Sequence, residues 1–339
     1  MKQLKLGVIG IDHRHIFGQL TKMRALGCEC KGWWAEGEPE PTEGFIKRFP
    51  DVRRVADMQV LLNDPEIDMI LIADIPVRRA ERAIAAMRAG KDVMTDKPGC
   101  TTLNQLESIK ACVAETGRIW SIDFSERFEV PAVARAAELV AQGRIGTVVQ
   151  TIGMGPHRLN RPTRPEWFFD EVMYGGILTD IASHQVDQFM FFTGSTDAEL
   201  VSSSVGNFAN PNDPGLQDFG EIVLRSDKGQ GYIRVDWYTP DGLPTWGDGR
   251  LTILGTEGYI ELRKYVDVAG RAGTDHIFIV NGDSCEHIDA SQTPLPYFKQ
   301  LINDVNNRTE TAMTQAHCFK VMEIALKAQV QATRLGALK

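Results

Sequence analysis

Two stretches of the chain carry side chains of the kinds that move protons. Asp96-Lys97-Pro98 follows an apolar, strand-like run, which puts Lys97 at the carboxyl end of a strand, the edge of a parallel sheet where ligands bind. A lysine held there beside a cationic ligand ring has a lowered pKa and suits proton handling. Further on, Gly175-Gly176 precedes Asp180, His184 and Asp187, which recur at spacings of four and three residues and so share one face of a predicted helix. Ile177, Ile181 and Phe189 mark that helix as largely buried, and buried ionisable groups need partners. The stripe reads as a proton-transfer constellation. Its structural alternative is a core histidine satisfied by Asp187.

The elements that must position these groups alternate up to Phe124. Leu4–Gly10, Glu29–Ala35, Asp68–Ala73, Asp92–Thr95 and Arg118–Asp123 read as strands. Ile16–Leu26, Val77–Ala89 and Thr101–Thr116 read as helices, the first two closed by Gly27 and Gly90. This predicts right-handed crossovers and a doubly wound parallel α/β sheet, a Rossmann domain over residues 1–123. Beyond Phe124 comes a helix at Pro131–Gln142, then strand-like runs at 147–153, 200–207, 219–225, 231–237, 251–254, 259–262 and 276–280. Tight turns such as Ser226-Asp227-Lys228-Gly229 join several of them, so residues 124–310 are expected to form an α+β domain around an open, mostly antiparallel sheet. One long helix over 176–193 interrupts it, and the tail 311–339 is expected to hold a C-terminal helix.

The first strand-to-helix turn reads Gly10-Ile11-Asp12-His13-Arg14-His15. Gly10 fits the first glycine of a G-x-G-x-x-G dinucleotide turn, while Asp12 and His15 occupy the places of the second and third. An ordinary turn with Asp12 as helix cap is the alternative. The second strand leads to Glu36, placed to accept ribose hydroxyls and to repel a 2′-phosphate, favouring NAD over NADP; Glu38 and Glu40 compete for that role. Ala73-Asp74-Ile75-Pro76 ends the strand at 68–73 on the same edge. The cofactor-binding set is therefore Gly10, Ile11, Asp12, His13, Glu36, Ala73, Asp74, Pro76 and Lys97, for NAD with NADP possible.

The 339 residues carry 37 Lys+Arg against 45 Asp+Glu, a net charge of −8, with 43% apolar and 24% charged residues. That balance is globular and argues against nucleic-acid or anionic-membrane partners. No apolar run is long enough to span a membrane and no signal-peptide core leads the chain, and six scattered cysteines suit reduced thiols, so a cytoplasmic protein is expected.

Gly-Val-Ile-Gly at 7–10, Ala-Gly-Lys-Asp-Val-Met-Thr-Asp-Lys-Pro at 89–98, Gly-Gly…Asp-x-x-x-His-x-x-Asp at 175–187, Arg127 and Gly143-Arg144-Ile145-Gly146 together resemble the glucose–fructose oxidoreductase / inositol dehydrogenase / MocA (Gfo/Idh/MocA) family. The resemblance covers nearly the whole chain. It implies NAD(P)-dependent hydride transfer between nicotinamide and a sugar or polyol carbinol carbon. It also implies that His184 takes the hydroxyl proton, Asp180 orients it, and Lys97 hydrogen-bonds the same hydroxyl. Asp96 replaces the family's glutamate before the lysine, and Ala80 stands where the family commonly has histidine.

On the substrate side, the loop from Gly155 to Trp167 is basic and proline-stiffened, which makes His157 and Trp167 candidates beside Arg127, the residue the resemblance points to, with Trp237-Tyr238 as a further aromatic wall. Three other readings stay open: NAD-dependent glycoside processing without net turnover of the cofactor, a non-catalytic sugar sensor, and a metal-dependent hydrolase using His13, His15, Asp180, His184 and Asp187. No dedicated metal site is expected. An open sheet face calls for a cover, so a homodimer or homotetramer is expected.

Overall fold

The structure is a computed structural model that describes residues 2–336. The chain divides into two compact units. The first comprises residues up to Asp123 with Val172–Gly175 and Pro296–Met322; the second comprises Phe124–Glu171, Gly176–Leu295 and the chain from Glu323 on. The segment 296–310, assigned to the second domain from sequence, thus packs with the first unit.

In the first unit β1 (Lys5–Ile9), β2 (Glu29–Trp34), β3 (Met69–Ile72), β4 (Asp92–Asp96) and β5 (Trp120–Asp123) form a parallel sheet in the order β2-β1-β3-β4-β5. The order reverses at β1, so the crevice at its carboxyl end is the topological switch point. Met69-Ile70-Leu71-Ile72 is wholly buried, as a central parallel strand covered on both faces requires. The connecting helices include α1 (His15–Ala25), α2 (Pro76–Arg88) and α3 (Leu103–Thr116). Pro76 starts α2 with its φ already helical, and Ala80, Ala83 and Met87 form its buried stripe. Thr102 caps α3 by accepting from the Gln105 N–H at 3.1 Å, and Gly117 ends it in the left-handed conformation.

The second unit opens with a short helix, Ser125–Phe128, followed by α4 (Pro131–Ala141), and is built on β6 (Val148–Pro156), β7 (Glu199–Gly206), β8 (Phe219–Arg225), β9 (Gln230–Asp236), β10 (Arg250–Gly255), β11 (Gly258–Arg263), β12 (His276–Asn281), β13 (Cys285–Asp289) and β14 (Thr333–Leu335). Their order is β13-β12-β11-β10-β6-β9-β8-β7-β14. Only the β6–β9 and β14–β7 pairs are parallel. Val133, Ala136 and Leu139 of α4 bury against Leu251, Ile253, Ile260, Leu262, Ile277 and Ile279. Along β6, Gly153 and Gly155 replace side chains that would strike Gln185: a Cβ on Gly153 would lie 2.8 Å from its Cγ. The strand is small there so that a helix can lie close upon it.

That helix corrects one expectation. Residues 176–193 form not one helix but two, α5 (Ile177–Asp180) and α6 (Ala182–Thr193), separated at Ile181. The His184 N–H donates to Ile181 O at 3.1 Å, a tightened three-residue step in place of an α-helical one. Asp180 and His184 are therefore separated by a tightened turn and do not share a continuous helical stripe. The tail differs too: helix α7 (Gln315–Gln331) gives way to β14. The exposed, polar strand β13 carries no buried alternation, which is why sequence patterning missed it.

Candidate active site

At the first unit's carboxyl edge, Gly10 adopts φ +73°, and a Cβ there would lie 2.3 Å from that of Asp74. Its N–H donates to Trp34 O at 2.8 Å, and the His13 N–H donates to Ala73 O at 2.9 Å, so the turn is fastened to both neighbouring strand ends. Only glycine fits at position 10. Ile11, Ala73 and Pro76 are buried around it. At the place of the second glycine, burial, followed by the charge of Asp74, raises the Asp12 carboxyl to about 7.

Asp96, the last residue of β4, is the hub of this edge and is fully buried. Its Oδ2 lies 2.9 Å from His13 Nδ1, its Oδ1 lies 2.9 Å from His15 Nδ1, and Arg79 Nη2 donates to Oδ2 at 3.2 Å. Burial opposes ionisation of Asp96, but the charges of His15, His13 and Arg79 outweigh it and hold the carboxyl well below its usual range. Burial pushes the His13 imidazole down to about 4, so that ring is neutral near pH 7. Arg79 Nη1 also donates to the carbonyls of Asp96 (3.0 Å), Lys97 (2.5 Å) and Pro98 (3.1 Å), and its Nε donates to Asp74 O at 2.7 Å. The turn that carries Lys97 is thus wrapped around a buried guanidinium. The histidines' partner is Asp96, where the hydrolase reading had grouped them with Asp180, His184 and Asp187. The ligand atoms of His13, His15 and Asp96 lie within 4.8 Å of one another, a spacing a divalent ion could use. Here the carboxylate already has hydrogen-bond donors on both oxygens and a guanidinium beside it.

Of the three acidic candidates, Glu36 is the one at this edge. Its Oε2 accepts from Arg78 Nη1 at 3.1 Å and Arg82 Nη2 at 2.9 Å. Arg82 also binds Asp74 at 3.2 Å and stacks 5.2 Å over the Trp34 ring. Glu38 pairs with Arg54, and Glu40 with Arg14. The edge fits a dinucleotide in two respects: a glycine where the turn nears β3, and a carboxylate past β2. It departs from the usual glycine-rich cradle by placing Asp12 and His15 where backbone would otherwise be bare.

In the second unit, Asp180, His184 and Asp187 are buried. Phe124 meets the His184 ring edge-on, with centroids 6.3 Å apart. Asp187 is gripped by Arg127, Nε to Oδ2 at 2.6 Å and Nη2 to Oδ1 at 2.7 Å, while the guanidinium packs on Phe128 and Phe191. Arg127, expected to meet substrate, is therefore engaged in holding α6. His157 Nδ1 lies 3.0 Å from Gly155 O, and its ring packs against Trp237 and Trp246. Trp167 sits one step away, against Phe168, which in turn meets Trp237.

Sequence reasoning missed Glu126 and Lys264. Both are buried, with Nζ and Oε2 at 2.5 Å; Gln185 Nε2 donates to the same oxygen at 2.9 Å, and Lys264 reaches Gln188 Oε1 at 3.3 Å. Burial disfavours the charge on Glu126, yet Lys264, then His184 and His157, bring it down to about 2. Glu126 stands directly beside Arg127 in the chain; Lys264 left no signal. Arg79 was hidden in an amphipathic helix where an arginine reads as solvated.

Residues 38–124 match the family model described as oxidoreductase family, NAD-binding Rossmann fold, and residues 133–261 match the GFO/IDH/MocA C-terminal domain. The chain belongs to the Gfo/Idh/MocA family. It is 30% identical to levoglucosan dehydrogenase of Pseudarthrobacter phenanthrenivorans over 60% of this chain and 52% of that one. It is 28% identical to the NAD(+) scyllo-inositol 2-dehydrogenase of Bacillus subtilis over 76% of this chain and 73% of that one. The match thus spans about half the length of the first of these relatives. A crystal structure described as an oxidoreductase from Erwinia carotovora atroseptica superposes with TM-score 0.96 at 43% identity, covering 98% of this chain and all of that one. Levoglucosan dehydrogenase in complex with NADH has TM-score 0.76 at 19% identity over 97% of each chain, which shows the shared fold. None of these matches points to a hydrolase or a sensor.

Proposed function

We propose that the protein is an NAD(P)-dependent dehydrogenase or reductase acting on a sugar or polyol, with Lys97, Asp180 and His184 as its catalytic residues. The observation that carries the reading is the pairing, within one chain of this family, of a dinucleotide edge ending in Asp96-Lys97-Pro98 with a buried Asp180/His184 pair. The bound nicotinamide would accept or return the hydride. His184 removes the proton from the substrate hydroxyl. Asp180 supports the imidazolium that results, and Lys97 stabilises the developing alkoxide. Gly10, Ile11, Ala73 and Pro76 shape the edge, and Glu36 accepts the adenosine ribose hydroxyls. His157 and Trp167, with Trp237 and Trp246, supply rings of the type that pack against pyranose or cyclitol faces.

A homo-oligomer formed through the second sheet is part of the same proposal. Ile152, Met154, Tyr232 and Phe278 are half-buried, and Leu254 and Tyr259 are each 40% exposed, on the face opposite α4 and α6. A cytoplasmic setting is supported by six free cysteines. The test is a screen of polyols, aldoses and uronates with NAD and with NADP, following reduced nicotinamide by absorbance. Lys97→Met and His184→Ala should each lower kcat by ~10²–10⁴-fold, with cofactor affinity retained in His184→Ala. Turnover that survives both substitutions rejects the assignment.

A further inference from the structure

At the cofactor turn, three departures from the glycine-rich pattern meet in one cluster. His13 and His15 come from the turn, Asp96 is the shortened acid before Lys97, and all three join through a single carboxylate. An ionised carboxylate only accepts hydrogen bonds, so each ring nitrogen facing it must carry the hydrogen. The 3.5 Å approach of the His15 N–H to His13 Nδ1 is too long to compete with the 2.9 Å bond to Asp96. In the neutral His13 ring the far nitrogen, Nε2, is then a lone-pair acceptor. The side chains are 21% and 40% exposed for His13 and His15 against 0% for Asp96, so the tied nitrogens point inward and the rings keep an accessible side.

We propose that Asp96 is a positioning residue that holds both rings by Nδ1–H and locks His13 as its Nδ1–H tautomer, making this turn an acceptor for a ligand hydroxyl or amide N–H group. The usual cradle of bare N–H groups offers phosphate oxygens donors; this chain offers an imidazole acceptor at the same place. In a dinucleotide, ribose hydroxyls and the carboxamide have the matching chemistry. Arg79 completes the device by binding the same carboxylate and the carbonyls of residues 96–98, so that the tautomer lock and the seat of Lys97 share one anchor.

The ligand half of this inference rests on the proposed NAD(P) reading; the tautomer half does not. Long-range ¹H–¹⁵N spectra of the cofactor-free full chain should show His13 with pyridine-type Nε2 and protonated Nδ1 near neutral pH. Asp96→Asn should redistribute its tautomers. It should also weaken NAD binding, read by calorimetry, roughly 10–100-fold, the range expected when hydrogen bonds to a charged group are lost. His13→Ala, which removes the acceptor outright, should weaken binding to a similar extent. Pyridine-type Nδ1 on His13 in the wild-type chain, as an ion held between the rings and Asp96 would produce, overturns the proposal whatever the variants do. So does wild-type NAD binding that Asp96→Asn and His13→Ala both leave unchanged. Failure of the wild-type chain to bind NAD or NADP overturns the dinucleotide reading instead and leaves the tautomer result to be judged by itself.

Discussion

Arg127 and Asp187, 60 positions apart, form a two-point pair at 2.6 and 2.7 Å that ties the short helix after Phe124 to α6, the helix of His184. Asp187 is wholly buried, so the pair's removal leaves a charge with no solvent to receive it. Arg127→Ala is expected to cost about 3–5 kcal/mol in urea unfolding. Arg127→Lys, which keeps the charge but loses the fork, should recover only part of that stability. A variant with wild-type stability and a raised KM for substrate would return Arg127 to the substrate-binding role.

The Glu126–Lys264 pair predicts an acid limb in stability. Its carboxyl is depressed from 4.5 to about 2, so the folded state holds fewer protons than the unfolded one, and the pair's stabilisation is complete above pH ~4.5 and fades toward pH ~2. Chemical denaturation between these limits should show stability falling with pH. Glu126→Gln should be less stable at neutral pH and less pH-dependent on that limb. Lys264→Met with Glu126→Leu should be more stable than either single variant, because it removes both buried charges together.

Asp12 predicts proton-linked cofactor binding with the opposite sense. Its carboxyl sits near 7, raised by burial and by Asp74, and a nearby diphosphate would raise it further. Binding then takes up protons, and NAD affinity should fall as pH rises from about 6 to 8. Calorimetry in buffers of different ionisation heat measures this uptake directly. Asp12→Gly should abolish the pH dependence and strengthen binding at pH 8; an unchanged profile would remove Asp12 from the site.

Glu36 predicts cofactor choice. Its carboxylate engages Arg78 and Arg82, so Glu36→Ser takes one carboxylate off two guanidinium groups at the place of the adenosine ribose, while Arg82 keeps Asp74. NADP affinity should rise about tenfold or more while NAD affinity drops, since phosphate binds well to paired arginines. Equal affinities before and after the change would reassign the ribose carboxylate.

Local chemistry was legible from residue order because it acts over a few positions. The all-apolar Met69–Ile72 run, Gly27 and Gly90 at helix ends, and the alternation on β8 and β9 each declare an element within a short window. Lys97 and His184 stand out for a related reason, since each has its own local signal: a proline turn after the lysine and a double glycine ahead of the histidine. What only the tertiary structure decided are the partners. Asp96 meets His15 across 81 residues and Lys264 meets Glu126 across 138, and no periodicity encodes which buried charge will face which. The same holds for the step at Ile181, where close packing of α6 on Gly153 and Gly155, not helix propensity, accompanies the tightened turn. Propensity and turn chemistry are short-range and additive along the chain, whereas a buried charge is tolerated only where the completed fold brings its counterpart.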